Sequence, residues 1–120
     1  MQIKVLYLTK GIREENTCDV ALSTENNSTT LHLGTGRCTF SIVLSDRLEL
    51  DDFIRLLEKN ITKLDLYSQM QKDGKDYSGK KKFLMKSRLV VSQGGARIDF
   101  PEESRALLHD VLTTYRSKLH

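Results

Sequence analysis

An α+β domain, mostly antiparallel sheet with two amphipathic helices in the order ββββα-ββα, is the fold class this 120-residue sequence predicts. Three observations carry it. Residues 2–44 alternate apolar and polar side chains in four short runs separated by turn chemistry. Two later stretches, Leu48 to about Leu66 and Pro101 to Leu119, change to the helical period. Between them Lys80–Val91 and Ala96–Phe100 alternate again across Gly94-Gly95, a pair suited to the positive backbone angles of a two-residue hairpin.

Taken in order, Ile3, Val5 and Tyr7 share one side of the first run and Lys4, Leu6 and Leu8 the other, so this strand is covered on much of both faces. Gly11–Asn16 reads as a polar connection. Cys18, Val20 and Leu22 mark a second strand, and Glu25–Ser28 a turn, because Asn tolerates left-handed angles. Thr29–Leu33 is a third strand, with His32 opposite Leu31 and Leu33. Cys38, Phe40, Ile42 and Leu44 make the fourth.

In the first helix Leu50, Phe53, Ile54, Leu57, Ile61 and Leu64 form one face. Asp51 and Asp52 near its start, with Lys59 and Lys63 near its end, suit the helix dipole. Residues 68–79 read as a basic polar linker. It divides a meander plus helix (1–67) from a hairpin plus helix (80–120) within a single domain. Pro101 opens the second helix at the first-turn position, where its missing donor costs nothing. Leu107, Val111, Tyr115 and Leu119 form its inner stripe, widened by Leu108 and Leu112, so Leu57 and Val111 are both expected to be buried. Phe40–Ile61 and Ile98–Leu119 echo each other as strand, acidic turn and helix.

Composition narrows the function classes. With 38% hydrophobic residues the chain can build a core without staples. No leader is read at the N-terminus, and no stretch approaches the roughly 20 apolar residues of a membrane span, so a cytoplasmic protein with no membrane partner is expected. Cys18 and Cys38 read as reduced core thiols; a disulfide requires their strands to be neighbours.

No cofactor, metal site or catalytic group is expected. Gly74 to Lys80 has the glycine and lysine spacing of a phosphate-binding loop, but Lys81 stands where Ser or Thr would hold magnesium, and a strand follows where a helix is needed. His32, His109 and His120 have no partners at a metal-ligand spacing. Asp51-Asp52 and Glu102-Glu103 are explained as helix-start charges.

Charge is the feature left over. Lys72–Arg88 holds seven basic residues (Lys72, Lys75, Lys80, Lys81, Lys82, Lys86, Arg88) against Asp73 and Asp76, a local balance of +5 in a chain of +3. These seven, with Tyr77 as a stacking platform, form the candidate nucleic-acid-binding set. On one continuous strand Lys82, Lys86 and Arg88 would share a face at intervals of about 13 and 7 Å, suited to successive phosphates. Phe83 alternates with Met85 and so faces the core. Lysines on an exposed strand also guard an edge against aggregation without binding anything.

The segment Arg37 to Ile61, RCTFSIVLSDRLELDDFIRLLEKNI, is an apolar strand entering an acidic-start helix with Phe and Leu anchors. Following a meander, it resembles the single-stranded nucleic-acid-binding modules of the Whirly and Pur-alpha type. The resemblance implies units packed in pairs, which admits a homo-oligomer, and sheets that grip single-stranded DNA or RNA. The expected function is a non-catalytic binding protein, for single-stranded DNA or RNA through the basic surface. The alternative is a small regulatory or adaptor protein that docks an acidic protein partner.

Overall fold

The computed structural model describes residues 1–119; His120 lies outside the described residues. The fold is a closed antiparallel β-barrel of eight strands in sequential order. They are β1 (Gln2–Thr9), β2 (Ile12–Glu25), β3 (Ser28–Gly34), β4 (Cys38–Leu44), β5 (Lys63–Lys72), β6 (Lys75–Met85), β7 (Leu89–Gln93) and β8 (Ala96–Phe100). Helix α1 (Arg47–Leu57) joins β4 to β5, and α2 (Glu102–Ser117) follows β8.

This overturns the expected sheet with order ββββα-ββα: the observed order is ββββα twice, and β1 closes on β8. Two misread segments account for the difference. Leu57, Ile61 and Leu64 keep a helical spacing, yet α1 stops at Leu57. Lys59 takes a positive φ of 64°, while its amide bonds to Leu56 O and that of Asn60 to Arg55 O. This pair of bonds is the Schellman helix stop, whose left-handed residue is normally glycine and is here a lysine. The chain then enters β5, whose inward residues Leu64, Leu66, Ser68 and Met70 alternate with Lys63, Asp65, Tyr67, Gln69 and Gln71 outside. Its solvated face is so polar that residues 68–79 read as a linker, whereas they form the paired arms and tip of the β5–β6 hairpin. Asp73 and Gly74, both at positive φ, make that tip. In the same way the polar GIREEN stretch conceals the start of β2, because its inward positions near the barrel mouth are Glu14 and Asn16.

An eight-stranded barrel is just wide enough for side chains to fill. Phe40, Phe83, Phe100, Leu31, Ile42 and Leu66 pack it, all essentially without exposure. Connections alternate between the two ends in a sequential antiparallel barrel. One end therefore carries the β1–β2, β3–β4, β5–β6 and β7–β8 turns, and the other carries both helices. Phe53 of α1 meets Phe83 edge-on at 6.1 Å between ring centroids, which makes α1 the plug of the helical end. Asp46 caps α1 by accepting from Glu49 N at 2.9 Å, and Glu49 accepts from Ser45 N at 2.7 Å.

The two helices run antiparallel, tied by Arg116 to Asp51 at 2.7 Å at one end and by Glu58 with His109 at 2.9 Å at the other. The buried stripe of α2 is Ser104, Leu108 and Leu112, with Tyr115 and Leu119 packed against the core. The expected stripe is thus rotated: Leu107 is exposed and Val111 only half-buried. Ser104 replaces an apolar anchor because its Oγ accepts from Lys4 N and donates to Lys4 O. On its β8 side the β1 backbone beyond the short β1–β8 ladder has no strand partner, and a hydroxyl supplies one.

Cys18 and Cys38 are both free and buried, in β2 and β4 with β3 between them. Two inter-strand steps of about 4.8 Å exceed the reach of a disulfide.

Candidate nucleic-acid interface

The basic window does not form one patch. Lys72 and Lys75 face each other at the tip of the β5–β6 hairpin. Lys80 and Lys82 point outward from β6, opposite Tyr67 and Asp65. Lys81 has the inward parity of Phe83 and is half-buried. The strand expected to carry Lys82, Lys86 and Arg88 on one face is broken: β6 ends at Met85, which pairs with Leu89, and Lys86–Arg88 is the turn between β6 and β7. That turn lies at the helical end of the barrel, opposite the tip that holds Lys72.

Tyr77 is half-buried rather than displayed. A Cβ on Gly94 would lie 2.8 Å from its ring, and Lys72 Nζ stands 5.9 Å from the ring centroid. Its packing docks the β5–β6 hairpin on the β7–β8 turn, where Gly94 (φ 59°) and Gly95 (φ 77°) give the tight reversal.

What the fold does bring together is a groove on the outer face of β1, β8 and β7. Cross-strand rows define it. Arg13 faces Leu8, which faces Arg97, which faces Ser92; in the next row Leu6 faces Asp99, which faces Val90. The groove, of about 380 Å³, has Leu6, Leu8 and Val90 as its apolar floor and Arg13, Arg97, Lys86 and Arg88 as its basic rim. Lys86 and Arg88 enter it from the β6–β7 turn, so two members of the window meet two arginines from distant sequence. A shallower depression sharing Leu8 and Arg97 continues it past Lys81 to the β7–β8 turn.

Charge pairing within the groove is uneven. Arg97 donates from Nε and Nη2 to the two Asp99 carboxylate oxygens at 2.6 and 2.9 Å. Asp99 is only 4% exposed, so this pair orients the guanidinium and raises the Arg97 pKa above its ordinary value. Among the described residues Arg13, Lys86 and Arg88 lie in no ion pair. Three cations are therefore left to act outward.

Arg13 and Arg97 were not among the candidates from sequence. Arg97 alternates with inward Ala96 and Ile98, which marks it as outward-facing, but nothing local ties it to Lys86. The remaining cluster of ionisable groups, at the barrel mouth, is internally paired. Arg37 donates to both oxygens of Glu14 at 2.5 and 3.1 Å, and that bond holds the Glu14 carboxyl below its ordinary range. Burial pushes nearby Tyr7 up.

Among the described residues no group of three or more His, Cys, Asp or Glu is placed to hold a metal ion. No described helix is long and apolar enough to cross a membrane. The class defined by this geometry is a filled, helix-plugged barrel with a basic groove on its outer wall. Comparison with protein-family models, curated proteins and solved structures finds no match.

Proposed function

We propose that this chain is a non-catalytic binding protein for single-stranded nucleic acid, with the phosphate backbone held in the β1–β8–β7 groove. One observation carries the reading: Arg13, Lys86 and Arg88, all without acidic partners, converge with an oriented Arg97 on one apolar-floored groove. The five residues of β7 span about 17 Å at 3.4 Å per residue, room for two or three phosphates of an extended strand. Cations and apolar contacts set side by side suit a strand whose sugars and bases are unpaired. The resemblance of Arg37–Ile61 to single-strand-binding modules points the same way. A second reading, docking of an acidic protein segment, draws on the same floor of Leu6, Leu8 and Val90.

Direct titration of a fluorescent oligonucleotide by anisotropy tests this. Four phosphate contacts predict a slope of log affinity against log salt near −3, from about −0.7 per contact. Absence of binding at low salt and about tens of micromolar protein sinks the nucleic-acid reading in favour of the protein partner.

A further inference from the structure

The outer wall of β4, β5 and β6 is chemically unlike the basic groove. A separate groove of about 340 Å³ runs over it, with Thr39, Ser41, Gln69, Gln71, Asp76 and Ser78 among its lining and no Lys or Arg. Gln69 faces Ser41 on one side and Ser78 on the other; Gln71 faces Thr39 and Asp76. Of these six, among the described residues, Ser41 alone is engaged by another side chain, His32 at 3.2 Å. Both glutamine amides, each with two donors and an acceptor, are thus left facing outward. An amide is a natural reader of a base edge, and a carboxylate such as Asp76 accepts from base amino groups while repelling phosphate.

Tyr67 lies on the same face, two residues before Gln69, and is 37% exposed. It sits in register with Lys80, a pairing that brings the Cβ atoms to about 4.5–5.5 Å. An exposed ring beside a cation without an acidic partner is the arrangement that takes a stacked base and its neighbouring phosphate. Tyr67, Gln69 and Gln71 then follow at steps of about 6.8 Å, two strand residues each, comparable to the step between nucleotides of an extended strand.

We propose that this wall, centred three strands round the barrel from the basic groove, reads bases of the same strand beyond the nucleotides whose phosphates that groove holds. Tyr67 stacks one base, Lys80 holds the adjoining phosphate, and Gln69, Gln71 and Asp76 hydrogen-bond to the exposed edges of the next bases. The inference rests on the nucleic-acid reading above and adds to it: binding depends on base identity, and the aromatic anchor is Tyr67 rather than Tyr77.

The test compares oligo(dT), oligo(dA) and oligo(dC) on the native protein and on Tyr67→Ala, Tyr67→Phe and the pair Gln69→Ala, Gln71→Ala. Circular dichroism serves as the check of folding. Native protein is expected to separate the three oligomers by about tenfold or more, the range of one to three kcal/mol per read base. Tyr67→Ala is expected to weaken all three at least about fivefold without changing the salt slope, and Tyr67→Phe to restore them, since the ring does the stacking. The paired glutamine variant is expected to shrink the separation between oligomers. If native protein binds with a steep salt slope yet these folded variants bind every oligomer as the native does, the base-reading wall is wrong and the phosphate groove stands. If native protein binds no oligomer, both readings fall. If Tyr67→Ala abolishes binding of a neutral oligosaccharide that the native protein takes, the wall belongs to a glycan and the inference is overturned.

Discussion

Arg97 and Asp99, two residues apart on β8 and on the same outward face, share two hydrogen bonds that leave the arginine aimed along the groove while the aspartate is nearly buried. The pair is local in sequence, but its consequence is not, since Asp99 is covered only because β1 and β7 flank it. Arg97→Ala should therefore lose both oligonucleotide affinity and stability. Stranding the carboxylate should cost about 1–3 kcal/mol in urea unfolding. Adding Asp99→Asn to that variant should return part of the stability but none of the affinity. Recovery of both would show that Arg97 makes no contact with the ligand.

Position in the barrel, not position in the basic window, should decide which lysines matter. Lys86→Ala with Arg88→Ala should flatten the salt slope by about 1.4, two contacts at about 0.7 each. Lys72→Ala with Lys75→Ala removes the same formal charge from the opposite end. It should leave the slope within error of native in the same titration. Equal flattening by the two pairs would mean that general charge, not the groove, drives binding.

The buried thiols should be inert. Burial pushes Cys18 up to about 12, with Cys38 as a secondary cause, and burial also raises Cys38.

 Both groups are neutral protons-on thiols across the ordinary working range of pH. Maleimide labelling of the native protein at pH 8 should be slow and should become fast only in denaturant. Rapid native labelling would show that β2 and β4 open readily.

Core truncations should separate the two helices. Leu57 is fully buried against the barrel end, and Leu57→Ala should cost about 2–4 kcal/mol by urea unfolding. Val111 is half-buried, off the Ser104, Leu108 and Leu112 stripe, and Val111→Ala should cost about 1 kcal/mol or less. A loss at Val111 as large as that at Leu57 would mean that α2 is rotated from the orientation described.

Acid should loosen the joint between the helices. A hydrogen bond from Arg105, followed by one from Lys59, lowers the Glu102 carboxyl to about 2. A carboxylate with a depressed folded pKa stabilises the fold above its unfolded value, near 4.5, and loses that contribution as pH falls toward 2. Glu102 is exposed, so the effect is modest and salt-screened. In an NMR titration its side-chain carboxyl carbon should still report the ionised form at pH 3. A midpoint near 4.5 would mean that the Arg105 contact does not persist in solution.

Local patterning alone determined that four strands precede α1, that this helix exists with Leu50, Phe53, Ile54 and Leu57 on its apolar face, the Gly94-Gly95 reversal and the burial of both cysteines. Each depends on side chains close in sequence, so the period shows it. Barrel closure was not legible. β5 and the first half of β6 place Ser68 and Gly79 at inward positions where a period-2 reader wants large apolar groups, and the left-handed residue that stops α1 is Lys59 in place of glycine. The site followed the same division. An excess of charge in Lys72–Arg88 was plain from composition, but charge has no direction until strands are paired. Closing β1 on β8 carried Arg13 and Arg97 to Lys86 and Arg88, and the β6 alternation sent Lys80 outward beside Tyr67 while it turned Lys81 in. Which charges share a surface is a property of cross-strand register, and register between strands far apart in sequence is set only when the whole core packs.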